Sequence, residues 1–157
     1  VLFRSENFMR EAIKLAVDNI ENGGGPFGAV IVKNEKIVGK GANRVTKNND
    51  PTAHAEIQAI RDACKKLETF DLSGCEIYTS CEPCPMCLGA IYWSGLNKIY
   101  YGADQNDAAD ADFSDAEIYI ELATPPQVRK VKSIELLKKE ANEAFEKWKN
   151  FENKIKY

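Results

Sequence analysis

EIYTSCEPCPMCLGAIYWSGLNKIYY, residues 76–101, decides the fold. Glu76 to Ser80 predicts a strand, rich in β-branched and aromatic residues. Glu82-Pro83-Cys84-Pro85 is a proline-rich helix start, and the helix it opens runs to about Trp93. Gly95 stops that helix, and Lys98 to Tyr101 predicts a second strand. Strand, helix and strand in immediate succession are the unit of a layered α/β fold.

The same alternation continues on the N-terminal side. Ser5 caps a helix over about residues 6–21, where Phe8, Ala12, Leu15, Ala16 and Ile20 recur at helical spacing. Gly23-Gly24-Gly25-Pro26 ends it. Phe27 to Lys33 predicts a buried strand, Asn34-Glu35 a hairpin turn and Lys36 to Asn43 the returning strand. Asp50-Pro51 predicts a helix start, with Ile57, Ile60, Cys64 and Leu67 on one stripe, and Asp71 to Gly74 a turn. On the C-terminal side, Asp104 to Asp115 reads as a polar loop and Asp115 to Leu122 as a short helix. Val128 to Ile134 reads as an edge strand, followed by a long helix with an apolar stripe from Ile134 to Ile155.

A length of 157 residues and an apolar fraction of 44% predict one domain with a real core. The net charge of −3 gives no global reason to expect nucleic acid. Acidic residues crowd from Asp104 to Glu117 and basic ones follow from Arg129 to Lys149. Solvated faces that balance each other account for this, with a local basic patch as the alternative. No apolar run has signal-peptide or membrane length, so the default expectation is a cytoplasmic, reducing location without membrane contact.

Of five cysteines, Cys81, Cys84 and Cys87 fall close together. In a reducing compartment that crowding reads as metal or redox chemistry. Cys84 and Cys87 stand three apart at a helix start, where the positive end of the helix favours thiolates. With His54, the only histidine, they offer the donor types zinc takes. Three protein ligands leave the fourth position for water or hydroxide, the mark of a catalytic site. Glu56 is the natural proton carrier. Two residues along a regular helix, however, is a turn of about 200°, so spacing alone does not put Glu56 on the face of His54.

Other readings stand beside this one. His54 alone reads as a hydrogen-bonded core histidine, Cys84 and Cys87 as a redox pair, and Cys81 as a fourth ligand closing a structural site. Cys64 and Cys75 read as buried apolar residues.

His54-Ala55-Glu56 with Pro83-Cys84-Pro85-Met86-Cys87 resembles the signature of the cytidine deaminase-like zinc deaminases. The wider pattern resembles the bacterial guanine deaminases of that superfamily. It includes Gly25-Pro26-Phe27-Gly28-Ala29-Val30, Asn43, Asp50 to Glu56, Tyr78 to Cys84 and Ala90 to Trp93. It continues through Asn106 to Ala109, Phe113, Asp115, Ile118, Tyr119, Phe151, Asn153, Lys154 and Tyr157.

The resemblance implies a three-layer α/β/α sandwich around a five-stranded mixed sheet. It implies a single deaminase domain over 1–157 and a homodimer whose C-terminal segment, about 134–157, is exchanged between subunits. It implies one Zn2+ per subunit on His54, Cys84 and Cys87, with a zinc hydroxide attacking C2 of guanine to give xanthine and ammonia. Glu56 would shuttle the proton and Asp115 would contact the purine edge and relay another. Asn43, Ala55, Phe27, Trp93 and Tyr157 would contact the base. Each has a plain structural alternative: core for Phe27 and Trp93, a strand end for Asn43, a helix cap for Asp115 and a frayed terminus for Tyr157. The rival chemistries are a tRNA adenosine deaminase and a cytosine or other small-base deaminase. The rivals from other classes are a zinc-stabilised interaction module and a thiol redox protein.

Overall fold

The structure is a computed structural model that describes residues 2–157; Val1 lies outside the described residues. The N-terminal unit reaches Ala116, and Glu117–Tyr157 form a second compact unit.

In the first unit, α1 (Leu2–Glu21) leads to β1 (Gly28–Lys33) and β2 (Lys36–Ala42). The turn between these strands has both central residues at positive φ, Asn34 at 48° and Glu35 at 61°, which suits a tight antiparallel hairpin. A short helix, α2 (Val45–Asn48), and then α3 (Ala55–Leu67) lead to β3 (Glu76–Cys81). Next come α4 (Pro85–Trp93), β4 (Lys98–Ala103) and α5 (Gln105–Asp110). Among the described residues there is one mixed sheet of four strands in the order β2-β1-β3-β4. β1 pairs antiparallel with β2 and β3, whereas β3 and β4 run parallel across the α4 crossover.

Both sheet faces are covered, which gives three layers. Successive side chains of a strand point to opposite faces. Ala29, Ile31 and Ile77 accordingly pack with Ala55, Ala59 and Ala63 of α3 and Ile91 of α4. Val30, Val32 and Tyr78 pack with Ala12, Phe8 and Met9 of α1. A strand buried on both faces reads as a continuous apolar run, which is why β1 shows no polar alternation.

Three expectations about the first unit are corrected. Ser5 does not cap α1, which begins at Leu2; Ser5 lies inside the helix, where its hydroxyl accepts from the Tyr78 hydroxyl (3.2 Å). Asp50-Pro51 does not start a helix. Asp50 Oδ1 accepts from the Thr52 backbone N–H (2.8 Å) and hydroxyl (2.7 Å), so its side chain is used in a turn. The helix begins only after His54, which is its N-cap. The polar run after β4 is not all loop. Asp104 and Asp107 form a reciprocal capping box that starts α5.

In the second unit, α6 (Ala116–Ala123, its first residue the last of the first unit) precedes a 3-10 turn at Pro126–Val128 and α7 (Lys138–Lys149). The expected strand over Val128–Ile134, which would have been the fifth, is not formed there. Pro125 and Pro126 turn the chain, and the residues after them join no ladder. The last helix is shorter than its apolar stripe. Leu137 sits at φ 53° and breaks helical continuity at the start, and Asn150 closes the end by donating from Nδ2 to the Glu146 carbonyl (3.0 Å).

Candidate metal centre

His54 and Cys84 are placed by the same local device. Each is the N-cap of its helix, in extended conformation, at φ −68° and ψ 158° for His54 and φ −64° and ψ 167° for Cys84. Cys84 precedes Pro85, whose ring excludes helical dihedrals from the preceding residue, and Pro85 itself suits the first helical position. Each N-cap carbonyl accepts the first intrahelical bond, from Gln58 (3.0 Å) and Leu88 (2.9 Å). Neither side chain makes the usual N-cap hydrogen bond. Both are therefore available to turn outward from two helix starts.

They converge with Cys87, which is fully buried in the first turn of α4. His54 Nδ1 lies 3.6 Å from Cys84 Sγ and 3.5 Å from Cys87 Sγ. All three ligand atoms lie within 4.8 Å of one another. Zinc with Zn–N and Zn–S bonds of ordinary length, at tetrahedral angles, places N and S about 3.6 Å apart. The donor set and its spacing therefore fit zinc. Cys81 is outside this cluster. Its Sγ donates to the Asp104 carbonyl (3.7 Å), so that side chain is engaged elsewhere, and burial pushes its thiol up to about 11.

The thiols titrate as a coupled pair. Cys84 is brought down to about 4, first by the hydrogen bond Cys87 donates and then, against burial, by His54. That same bond and burial push Cys87 up. His54 is pushed up by its hydrogen bond with Cys84. The helix N-termini favour the thiolate, and thiolate with imidazole is a donor pair that zinc takes.

Glu56 is only 6% exposed, and its carboxyl is hydrogen-bonded with Cys87. The helical-wheel objection to His54 and Glu56 sharing a site falls away, because His54 is not in the helix. Its extended ψ redirects the chain between them. Burial raises the Glu56 carboxyl above the ordinary carboxylate range.

The expected substrate contacts are placed unevenly. Asn43 is buried at the end of β2, and its N–H donates to the Phe27 carbonyl (3.1 Å). The next residue, Arg44, donates to the Ala53 carbonyl (2.8 Å), tying this corner to the chain just before His54. Asn43 Oδ1 accepts from Gly25 N and Val45 N, both at 3.3 Å, which leaves its amide NH2 for other partners. Ala55 is buried between His54 and Glu56. Phe27 is half-buried with its ring edge-on to Phe113. Asp115 is half-buried and within electrostatic reach of Cys84 and Glu82; burial, first, and those charges raise its carboxyl. Trp93 ends α4, about 13 Å along the axis from Cys84, and is 75% exposed in the single chain. Tyr157 lies in the second unit, exposed.

Sequence reasoning missed Asn19. It is 3% exposed, and its Nδ2 donates to the carbonyls of Asn43 and Gly25, both at 2.8 Å. The signal was present, a polar residue in register with Ala12 and Ala16 on the apolar stripe of α1. Gly24 is what lets it reach, since a Cβ there would collide with the Asn19 side chain.

Three comparisons agree with this geometry. Residues 3–103 match the family described as the cytidine and deoxycytidylate deaminase zinc-binding region. The guanine deaminase of Bacillus subtilis (strain 168) is 49% identical over 153 residues, 97% of this chain and 98% of its own. The X-ray structure of guanine deaminase from Bacillus subtilis superposes with a TM-score of 0.94 over 97% of this chain and 98% of that one. A tRNA-specific adenosine deaminase of Aquifex aeolicus (strain VF5) is 44% identical over 62% of this chain and 65% of its own.

Proposed function

The chain belongs to the cytidine and deoxycytidylate deaminase zinc-binding family, and we propose that within it the reaction is hydrolysis of guanine to xanthine and ammonia. Deamination is carried by the pair of N-cap ligands with Cys87, His54 Nδ1 standing 3.6 and 3.5 Å from the two sulfurs beside a buried Glu56, and guanine by the 49% identity to a guanine deaminase over 97% of the chain.

His54, Cys84 and Cys87 would hold one zinc per subunit. Bound there, zinc would supply the Lewis acidity that makes water a nucleophile near neutral pH. Glu56, 6% exposed, takes a proton from the attacking water and delivers it to the ring nitrogen beside C2. Asp115 meets the purine edge and hands a second proton to the departing amine. The Asn43 amide NH2 donates to the base, Ala55 presents its backbone beside it and Phe27 covers one face. Trp93, at the exposed end of α4, lines the base-binding pocket together with Phe27.

The protein acts as a homodimer whose C-terminal segment is exchanged, with Tyr157 closing the partner's site. Supporting this, α6 and α7 carry no buried residue, and Phe145, Trp148, Phe151 and Ile155 stand at least 44% exposed. Such a row of apolar side chains calls for a covering partner. No helix among the described residues is long and apolar enough to cross a membrane. The free cysteines suit a reducing, cytoplasmic compartment.

The test is ammonia release from guanine, adenine, cytosine, cytidine and a tRNA anticodon stem-loop, with zinc measured on the same sample. Guanine turnover that is lost on deleting residues 151–157 supports the whole reading. Turnover of the stem-loop adenosine with none of guanine overturns it.

A further inference from the structure

We infer that Phe113 is a positioning residue for Asp115, acting through its edge-on contact with Phe27. The inference rests on the guanine deaminase reading for the role of Asp115, but the anchoring itself is independent of substrate.

The segment Ala111 to Asp115 is fastened at one end to α5. Asp112 takes φ 67°, its N–H donates to the Ala109 carbonyl (3.0 Å), and the Phe113 N–H donates to the Ala108 carbonyl (2.9 Å). These are the two bonds of a Schellman closure, which reverses the chain after the helix. A non-glycine residue occupies the left-handed region at a cost and stays there only when its neighbours hold it. The neighbour that holds Asp112 is Phe113. Its ring meets Phe27 at 5.0 Å between centroids and 88° between planes, the edge-to-face geometry aromatic pairs favour.

Phe27 is itself fixed to the site, since its carbonyl accepts from Asn43. The other side of the frame is fixed by Cys81, whose Sγ donates to the Asp104 carbonyl where α5 is capped. Phe27, Cys81 and Phe113 share the wall of a cavity of about 410 Å³. Asp115 stands two residues beyond, where it senses Cys84 and Glu82. Phe113 remains 46% exposed, so it contributes little core, and its contact with Phe27 is what sets the loop.

The experiment combines hydrogen exchange with a double-mutant cycle on the full chain. Phe113→Ala should speed amide exchange across 112–116 while zinc content holds. It should lower kcat/KM by about a hundredfold, the scale of a misplaced catalytic group. In an Asp115→Asn background the same change should cost almost nothing more, because both act through one carboxylate. Phe113→Tyr should rescue both readouts. Unchanged exchange in Phe113→Ala overturns the anchoring, and full additivity with Asp115→Asn overturns the positioning role. If Phe113→Ala fails to fold, Phe113→Leu takes its place in the same cycle. If wild-type enzyme does not turn over guanine, the functional reading fails by itself. The cycle is then run on whichever base is deaminated, and the exchange result decides the anchoring either way.

Discussion

His54 and Cys84 are equivalent residues of two different helices: each is an N-cap with ψ near 160°, and each turns a ligand atom toward the other across 3.6 Å. The relationship explains why so small a site holds together. Two helix starts face one point, and their unpaired N–H groups make that point favourable for thiolate and carboxylate.

Changing Glu56→Gln keeps the volume and removes the proton carrier. Zinc content should stay at wild-type level, while kcat falls by about 10²–10⁴, the range general acid–base catalysis supplies. Elemental analysis and steady-state kinetics on one preparation check this, and retained turnover would exclude Glu56 as the shuttle.

Changing Cys84→Ala removes the thiolate of lowest pKa in the cluster, about 4, and with it the anionic partner of His54. Zinc should be lost on dialysis and activity should not return when zinc is added back. Full occupancy in this variant would show that the ligand set is another one.

Asn19→Ala leaves the carbonyls of Gly25 and Asn43 without the side-chain donor they share. A buried acceptor left unpaired costs about 1–3 kcal/mol. The variant should unfold at lower denaturant, and its KM for guanine should rise, because the corner that aims Asn43 is loosened. A loss of stability with KM unchanged would separate Asn19 from substrate binding.

Tyr78 gives the pH dependence with the clearest sign. Burial, first of all, pushes its phenol from 10.0 up to about 12, despite a hydrogen bond to Ser5. Its ring stacks on Tyr100 at 4.4 Å. The folded state holds this proton more tightly than the unfolded state. The stabilisation is therefore complete below pH 10 and is lost as pH rises toward 12. Phenolate absorbance should show one tyrosine titrating late, and Tyr78→Phe should flatten alkaline unfolding. An early titration of every tyrosine would contradict the burial of this ring.

Most elements of the first unit were legible in the amino-acid sequence, since their signals are local, though the short helices α2 and α5 were not. Period-two and continuous apolar runs mark β1 and β3, glycine ends α4, and Pro85 forces Cys84 into an extended conformation. The donor types were legible too, because His54, Cys84 and Cys87 are chemically suited to one metal wherever they meet. Tertiary packing decided that they do meet. Thirty residues separate His54 from Cys84, and only β1 and β3 pairing under α3 and α4 brings the two helix starts together. It also decided that His54 is a cap and not a helical residue, which is what gives Glu56 its place. It also withheld the strand expected over Val128–Ile134. The physical reason is one of range. Dihedral preferences and side-chain periodicity act over three or four residues, whereas a site assembled from four segments depends on how buried surfaces far apart in the chain fit one another.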